Sequence, residues 1–375
     1  MDADAPRGLL RWFQDLPDPR PGQNVMHSLT DMLAVAIIAV VCGADSWSEV
    51  AVFGRCKEPW LRTFLRLRHG IPSHDTFGRV FGLLDPTAFE RCFLNWTASL
   101  ARQGRRLVAI DGKTIRRSFD TASNQAAIHM ISAWCETNHT VLGQLATEAK
   151  SNEVTAIPKL LDLLDLTDAV VTIDAMGCQR QIARKIVESG GDYVLQVKDN
   201  QPALHESLKL LFAEGIRADC HGVAYDVAEE TDGGHGRVET RRCWTSWEVA
   251  GLSDPGRWKG LQSVACVERV RQTDDGVSVK RHYYISSLPG RDAATMMAHI
   301  RGHWGIENKL HWCLDVQYGE DASRIRTGHA AENFSRLRRM GLNLLKKDKT
   351  FKVGLKGKAK ACSWNHDYLL KILTS

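Results

Sequence analysis

Three acidic residues, Asp111, Asp174 and Glu307, stand in contexts that suit phosphoryl-transfer chemistry. Asp111 closes the apolar run LVAIDG and Asp174 closes AVVTIDAMG; each is followed by turn-prone residues, Gly112-Lys113 and Ala175-Met176-Gly177. A carboxylate at the carboxyl end of a buried strand is rigidly placed and faces the crevice where open α/β sheets bind ligands. Either aspartate alone would serve as a turn cap. Two in matching contexts point to a site. At about 100° per residue, Ile300, Trp304, Glu307, His311 and Leu314 share one helical stripe, which puts Glu307 inside an apolar face. A lone buried carboxylate must be protonated, paired or bound to a cation. His303 and His311, at i−4 and i+4, offer Glu307 a structural pairing. A metal shared with the two aspartates fits better.

Oxygen ligands of this kind suit Mg²⁺, with Mn²⁺ able to substitute. Two such ions about 3.5–4 Å apart can activate an attacking oxygen and stabilise a leaving one. The eight-residue interval between His303 and His311 is not that of a helical zinc pair, and Cys313 points elsewhere on the helix.

These acids need a sheet to hold them. Residues 1–104 read as helical, with Asp31 placed to cap MLAVAIIAVV, Ser46 before SEVAVFGRCKEPWLRTFL, and Ser73 before HDTFGRVFGLL. In the last of these, Phe77, Val80, Phe81 and Leu84 fall on one face. This segment suits a DNA-binding or pairing module and equally a plain packing domain. From Arg105 the pattern becomes strand, strand, strand, helix, strand, helix, strand, with Thr137-Asn138 as a hairpin turn and Gly190-Gly191 as a helix stop. A mixed sheet covered by helices follows from that order, the order of ribonuclease-H-like folds. A β-rich insertion is expected over about 218–288, and a long helix through MMAHIRGHWGIENKLHWCLDVQ. The resulting division is a helical region 1–104, an α/β catalytic region 105–345 and a basic C-terminal tail 346–375.

With 375 residues, 43% hydrophobic and 25% charged, the chain has the composition of a soluble globular protein. The apolar run at 32–42 is about half of what a membrane span needs, so a buried helix is expected and no membrane partner. Ten cysteines scattered singly suggest reduced thiols and a cytoplasmic setting. The net charge of +5 is unevenly spread: residues 321–375 hold thirteen Lys/Arg against four Asp/Glu. A basic tail on a mildly acidic body suggests a polyanion, nucleic acid above all; a solvated tail is the alternative.

The motifs IDGKTIRRS, KSNEVTAIPKLLDLLD, VVTIDAMGCQ, GDYVLQVKDNQP and HWGIENKLHWCLDVQYGED resemble, nearly end to end, the H-repeat-associated branch of the DDE insertion-sequence transposases. LPDPR, CGADSW and GIPSHDTFGRVF look like the helical domain that accompanies them. The resemblance implies a ribonuclease-H-like core, a β-rich insertion before the final acid, and a catalytic, metal-holding triad falling on Asp111, Asp174 and Glu307. One departure stands out. Related enzymes carry Tyr, Arg and Lys at i−7, i−4 and i+7 from the last Glu, where this chain has Ile300, His303 and Leu314. A DNA-end hairpin mechanism that depends on that trio is therefore in question.

Candidates for double-stranded DNA contact are Lys113 and Arg116 after the first aspartate; Lys198, Asn200 and Gln201 at a strand end; and Arg237 in the insertion. His303, Trp304, Asn308 and His311 surround Glu307, while Arg324, Arg326, Lys346 and Lys347 lie in the basic segment. Trp304 reads equally as core filler, and phosphate contacts of the basic residues would position DNA without reading its sequence. The expected function is Mg²⁺-dependent cleavage at element ends followed by strand transfer to target DNA, with at least a dimer in the DNA complex. The alternatives are a nuclease that cuts without joining and a non-catalytic DNA-binding descendant.

Overall fold

A computed structural model describes residues 5–22, 25–100, 104–119, 126–147, 153–217, 224–234 and 237–374. Helices α1 (Ala5–Leu10), α2 (Leu29–Val41), α3 (Trp47–Leu61), α4 (His74–Leu83) and α5 (Pro86–Leu100) precede the first strand. Ser28, Ser46 and Ser73 cap α2, α3 and α4, each side-chain oxygen accepting the backbone N–H three residues on. Asp31 is not the cap of α2. It sits in the first turn and accepts the Leu67 N–H (3.1 Å), tying α2 to a later loop. The apolar run of α2 is buried throughout, because helices pack around its whole circumference. None of the described helices is long and apolar enough to cross a membrane.

Next come β1 (Arg106–Thr114), β2 (His129–Cys135), β3 (Thr140–Thr147), α6 (Glu153–Leu161), β4 (Ala169–Ile173), α7 (Arg180–Glu188), β5 (Asp192–Val197) and α8 (Pro202–Arg217). The turn between β2 and β3 is closed by His139, at φ 54°, one residue beyond the expected Thr137-Asn138. β6 (Tyr225–Gly234), β7 (Arg237–Ser246), β8 (Ser263–Thr273) and β9 (Gly276–Ser286) make up the insertion, of which 218–223 lie outside the described residues. All the strands join one sheet in the order β3-β2-β1-β4-β5-β9-β8-β7-β6. β1, β4 and β5 are parallel neighbours, whereas β2, β3 and the insertion strands pair antiparallel. The insertion is thus an extension of the central sheet, joined through β5 and β9.

The remaining elements are α9 (Ala293–His303), a π-helical turn (Ile306–His311), α10 (Trp312–Tyr318), α11 (Ala330–Lys347), α12 (Leu355–Trp364) and α13 (His366–Thr374). Alternation along the strands sends Val108, Ile110 and Ile173 into one core with α6, α7 and α8. Ala109 and Trp134 face the opposite layer, built from the amino-terminal helices, the π turn, α10 and α11.

Residues 346–374, expected as a basic tail, fold instead as the end of α11 followed by α12 and α13. Cys362, Leu369 and Ile372 enter the same core as α2. Part of the positive charge counted over residues 321–375 is internal. Arg336, Arg338 and Arg339 of α11 are fully buried. Arg336 pairs with Glu90 of α5 and with Glu332, both at 2.5 Å, and Arg339 pairs with Glu320 at 2.9 Å. Lys358 is buried as well and donates to the carbonyls of Leu345 and Asp348. Buried guanidinium groups persist when such partners satisfy them, so these residues weld α5 and the post-α10 segment to α11.

Candidate active site

Ile110 of β1 and Ile173 of β4 are register partners, and the parallel pairing stops there. Asp111 and Asp174 are the residues that follow, Asp111 still within β1 and Asp174 in the turn just beyond β4. β1 itself runs on to Thr114 along β2, so Asp111 lies just past the parallel ladder and inside the strand. Both aspartates point away from the Ile110/Ile173 core, toward α9 and the π turn. Asp174 also caps the turn that follows, accepting from Met176 N–H (3.0 Å) and, at 3.5 Å, from Gly177 N–H.

A side chain at position 112 would displace its neighbours. A Cβ there would lie 2.2 Å from Glu153 Oε1 and 2.3 Å from His129 Nε2. Gly305 and Gly302 play the same part on the facing layer, since Cβ atoms there would meet Glu136 Oε2 at 2.1 Å and Leu107 Cδ2 at 2.2 Å. Small residues thereby let the segment that carries Glu307 settle onto the ends of β1 and β2.

Glu307 does not sit in the apolar stripe that an unbroken helix would give it. The Trp312 N–H donates to the Glu307 carbonyl, an i→i+5 bond, and this π turn rotates the face that the helix presents. Ile306 and Leu310 are buried in place of Glu307 and Trp304, which are exposed, Trp304 to 47%. A cleft of about 160 Å³ is lined by Asp174, Lys198, His303, Trp304 and Glu307, with Thr172, Gln196 and His282 among its walls. Asp174 and Glu307 therefore face one cleft, which Asp111 does not line, although the helical periodicity that suggested Glu307 did not hold.

Electrostatics mark the same place. Burial, reinforced by the charges of Glu153, Asp174 and Glu307, pushes Asp111 up to about 7 against the lowering effect of the Gly112 N–H. Asp174 is raised as well, by burial and by Glu153, with Lys198 and the backbone N–H groups of Gly177 and Met176 opposing. His311 Nδ1 is 3.5 Å from Asp111 Oδ2, but burial holds that imidazole down to about 3, so it stands there neutral. His303 is likewise neutral, lowered to about 4 by burial, with Nδ1 3.1 Å from Thr172 Oγ1. Ile300 and Leu314 are core residues.

The candidate DNA contacts divide in two. Lys198, Trp304 and Asn308 are exposed at or beside the cleft, and Arg116 and Arg324 are exposed elsewhere on the surface. Others are already engaged inside the protein. Lys113 is buried between Asp315 (2.7 Å) and Asp321 (2.5 Å), so its ammonium does not meet phosphate. Asn200 donates to Ala175 O (2.6 Å) and Gln201 to Cys178 O (3.0 Å), which fixes the loop after Asp174. Arg326 donates to Arg117 O (3.1 Å) and lies over the Phe119 ring, while half-buried Lys346 lies over Trp134. His303 and His311 are half-buried, His303 in the wall of the cleft. Arg237 is exposed on the β6–β7 hairpin, outward from the cleft-lining strands, and Lys347 is exposed at the end of α11.

Two residues near the aspartates had not been singled out from the sequence. Glu153 opens α6, and its Oε1 is 2.9 Å from His129 Nε2. A glutamate in the first turn of a helix, after a strand, was the available signal, and it is a common one.

Relatives place this geometry. The sequence matches the model of the transposase DDE domain over residues 102–344, and that of the DDE_Tnp_1-associated domain over residues 10–97. A protein of Escherichia coli O157:H7 named "Putative transposase YncI" is 43% identical over 98% of this chain and 95% of its own length. One of Escherichia coli (strain K12) named "H repeat-associated putative transposase YhhI" is 38% identical over 97% of both. Among solved structures, a piggyBac transposase synaptic complex with hairpin DNA aligns with 99% of this chain and 82% of its own, at 10% identity and a TM-score of 0.40, too loose a likeness to build on. Identity of this order over nearly the full length of both relatives, with the domain model spanning the sheet from β1 through most of α11, fixes the family: the chain belongs to the DDE transposases.

Proposed function

We propose that this transposase cuts DNA at the ends of its insertion sequence and joins the freed 3′ ends to target DNA, with Asp111, Asp174 and Glu307 as its metal-holding triad. The observation that carries this reading is the register of β1 and β4, which places the two aspartates directly after paired residues, on the side of the sheet that faces Glu307. The strand order 3-2-1-4-5 of the first five strands, with β2 antiparallel, supports a ribonuclease-H-like core.

The donor set suits a hard divalent cation, being carboxylate oxygens beside neutral imidazoles. Burial first, and then the charges of Glu153, Asp174 and Glu307, hold Asp111 up to about 7. Among the described residues no three His, Cys, Asp or Glu side chains stand close enough together to enclose an ion as arranged. Exposed Glu307, on the π turn, is the member with room to swing inward. Mg²⁺, or Mn²⁺ in its place, would supply the Lewis acidity that phosphodiester cleavage and joining require.

The protein's own residues do the rest. Asp111 and Asp174 are pre-positioned by sheet pairing and turn hydrogen bonds, so they need little reorganisation. His311, neutral and enclosed, fills the space behind Asp111 without neutralising it. Lys198, Trp304 and Asn308 flank the cleft and are placed to meet a phosphate, a base face and a backbone oxygen of double-stranded DNA. Two element ends joined to one target call for at least a dimer in the DNA complex.

Single substitutions D111N, D174N and E307Q are expected to abolish cleavage of DNA carrying the element ends while leaving DNA binding within a few-fold of wild type. Substantial nicking by any one of them would remove that residue from the triad.

A further inference from the structure

The insertion strands carry two different rows of charge, one on each face. Residues directly opposite one another across β6 to β9 share a face of the sheet. On the face covered by α8, where Tyr283 meets Phe212, the residues Arg281, Glu268, Arg242 and Glu229 lie in register and alternate in sign. They satisfy one another, Arg281 pairing with Glu268 at 2.7 Å and Arg242 with Glu229. One residue along, on the opposite face, the row reads Glu230, Arg241, Arg269, Lys280. Arg241 is neutralised by Glu230, Asp232 and Glu239, and the first two of these acids also hold Arg301 of α9. Arg269 and Lys280 stand directly opposite each other, and neither forms an ion pair among the described residues. The same is true of Arg271, two residues further along β8. Arg271 and Lys280 are exposed and Arg269 is half-buried. Like charges set opposite each other across strands weaken a sheet, so packing gives no reason for this row.

The face with the unpaired cations is the one that forms the cleft. His282, two residues beyond Lys280 on β9, lines the cleft with Asp174, Lys198 and Glu307, and its Nδ1 is 3.1 Å from Gln196 Nε2 of β5. Val267, opposite His282, packs in one core with Met296, Met297 and Ile300 of α9, and Ile300 is itself a cleft wall. Burial first, and then the charges of Arg269, Lys198 and Lys280, hold the His282 imidazole below its ordinary range, as cations gathered around it would. The row therefore starts at the cleft wall and runs outward. At about 3.3 Å per residue the level of Arg271 is roughly 13 Å from that of His282, a length that spans about four phosphates of one DNA strand.

We propose that the cleft-side face of β8 and β9 is a DNA track, on which Arg269, Arg271 and Lys280 hold the phosphates of the strand that leads out of the active site. This rests on the reading of the cleft as the place of cleavage. The test compares the full chain as wild type, as the triple variant R269Q/R271Q/K280Q and as R281Q, the control on the opposite face. Binding to duplex DNA carrying the element ends is measured over a series of salt concentrations, and phosphate-ethylation interference locates the contacts. Each lost contact takes roughly 0.9 from the log–log salt slope, so the triple variant should lose about 2.7 and R281Q nothing. Interference should vanish in the triple variant at about four consecutive phosphates next to the element end and persist elsewhere. The triple variant should melt no lower than wild type, because the opposed like charges are gone, which separates a weakened grip from a damaged fold. An unchanged slope, or interference lost only at phosphates remote from the element end, would overturn the proposal alone. The expected slopes and interference, with no cleavage by wild type in Mg²⁺ or Mn²⁺, would uphold the track as a DNA surface and overturn the reading of the cleft.

Discussion

Replacing Asp111 with Asn should stabilise the metal-free protein, and by an amount that depends on pH. Burial and neighbouring acids raise Asp111 from an ordinary 3.8 to about 7, and the side chain is only 19% exposed, so solvent screening discounts the effect modestly. A raised folded-state pKa contributes stability that is fully present below the unfolded value and is lost as pH rises through the folded one. Between pH 4 and 7 the folded chain binds the proton that the unfolded chain has released, so stability falls with pH; above 7 the loss is complete. The rise corresponds to about 4 kcal/mol at its limit, reached near pH 8. Asparagine keeps the acceptor for the Gly112 N–H and removes the charge, so D111N escapes this loss. Calorimetric melting in EDTA should show D111N above wild type by a few degrees at pH 8, the gap narrowing by about 2–3 kcal/mol at pH 5. Mg²⁺ at about a hundred times its Kd should then raise wild type by about 2.7 kcal/mol and leave D111N unmoved. A gap that is absent, reversed or flat with pH would show that Asp111 is not held up by burial among acids.

Other outcomes follow from the packing and charge described above. R336A strands Glu90 in the core without its cation, so denaturant unfolding should show a loss of about 3–5 kcal/mol; a loss below 1 would mean that water reaches Glu90. K113A should lower the melting temperature yet leave the salt dependence of DNA binding untouched, because its ammonium is committed to Asp315 and Asp321. K198A should weaken binding to unrelated sequences alike and reduce the log–log salt slope by roughly 0.9, and an unchanged slope would take Lys198 out of the interface. G112A should cut activity severely, since any Cβ at 112 displaces Glu153 or His129; wild-type cleavage by this variant would show that the pair is free to move aside.

What could be read from the sequence was local. The aspartate after β4 at 174, serine caps at 46 and 73, the glycine stop at 190 and the buried run of α2 each depend on a few neighbouring residues, and all are present in the structure; Asp111 lies inside β1, which runs on to Thr114. Glu307 was found for a reason that the structure does not uphold. A stripe drawn at constant helical pitch put Glu307 and Trp304 in the core, whereas the π turn at Ile306–His311 shifts the phase and buries Ile306 and Leu310. Pitch is a property of hydrogen bonding that side-chain spacing does not encode. The basic segment was misread for a different reason. Composition gives the sign of a charge but not its partner, and Arg336 finds Glu90 from 246 residues away. Glu153 escaped notice because its closeness to Asp111 depends on the absence of a side chain at Gly112. That is visible only once β1 and α6 are packed.

Joined products are the most direct test of a transposase that both cuts and transfers. The full chain, Mg²⁺, DNA carrying the sequence that flanks its own gene, and a separate target duplex would be incubated together, and every new junction sequenced at nucleotide resolution. The account predicts element 3′ ends covalently joined to target DNA, lost together in D111N, D174N and E307Q and in excess EDTA. Ends that are cut but never joined would make this chain a nuclease. Junctions that persist in EDTA, or in any triad variant, would contradict the site itself.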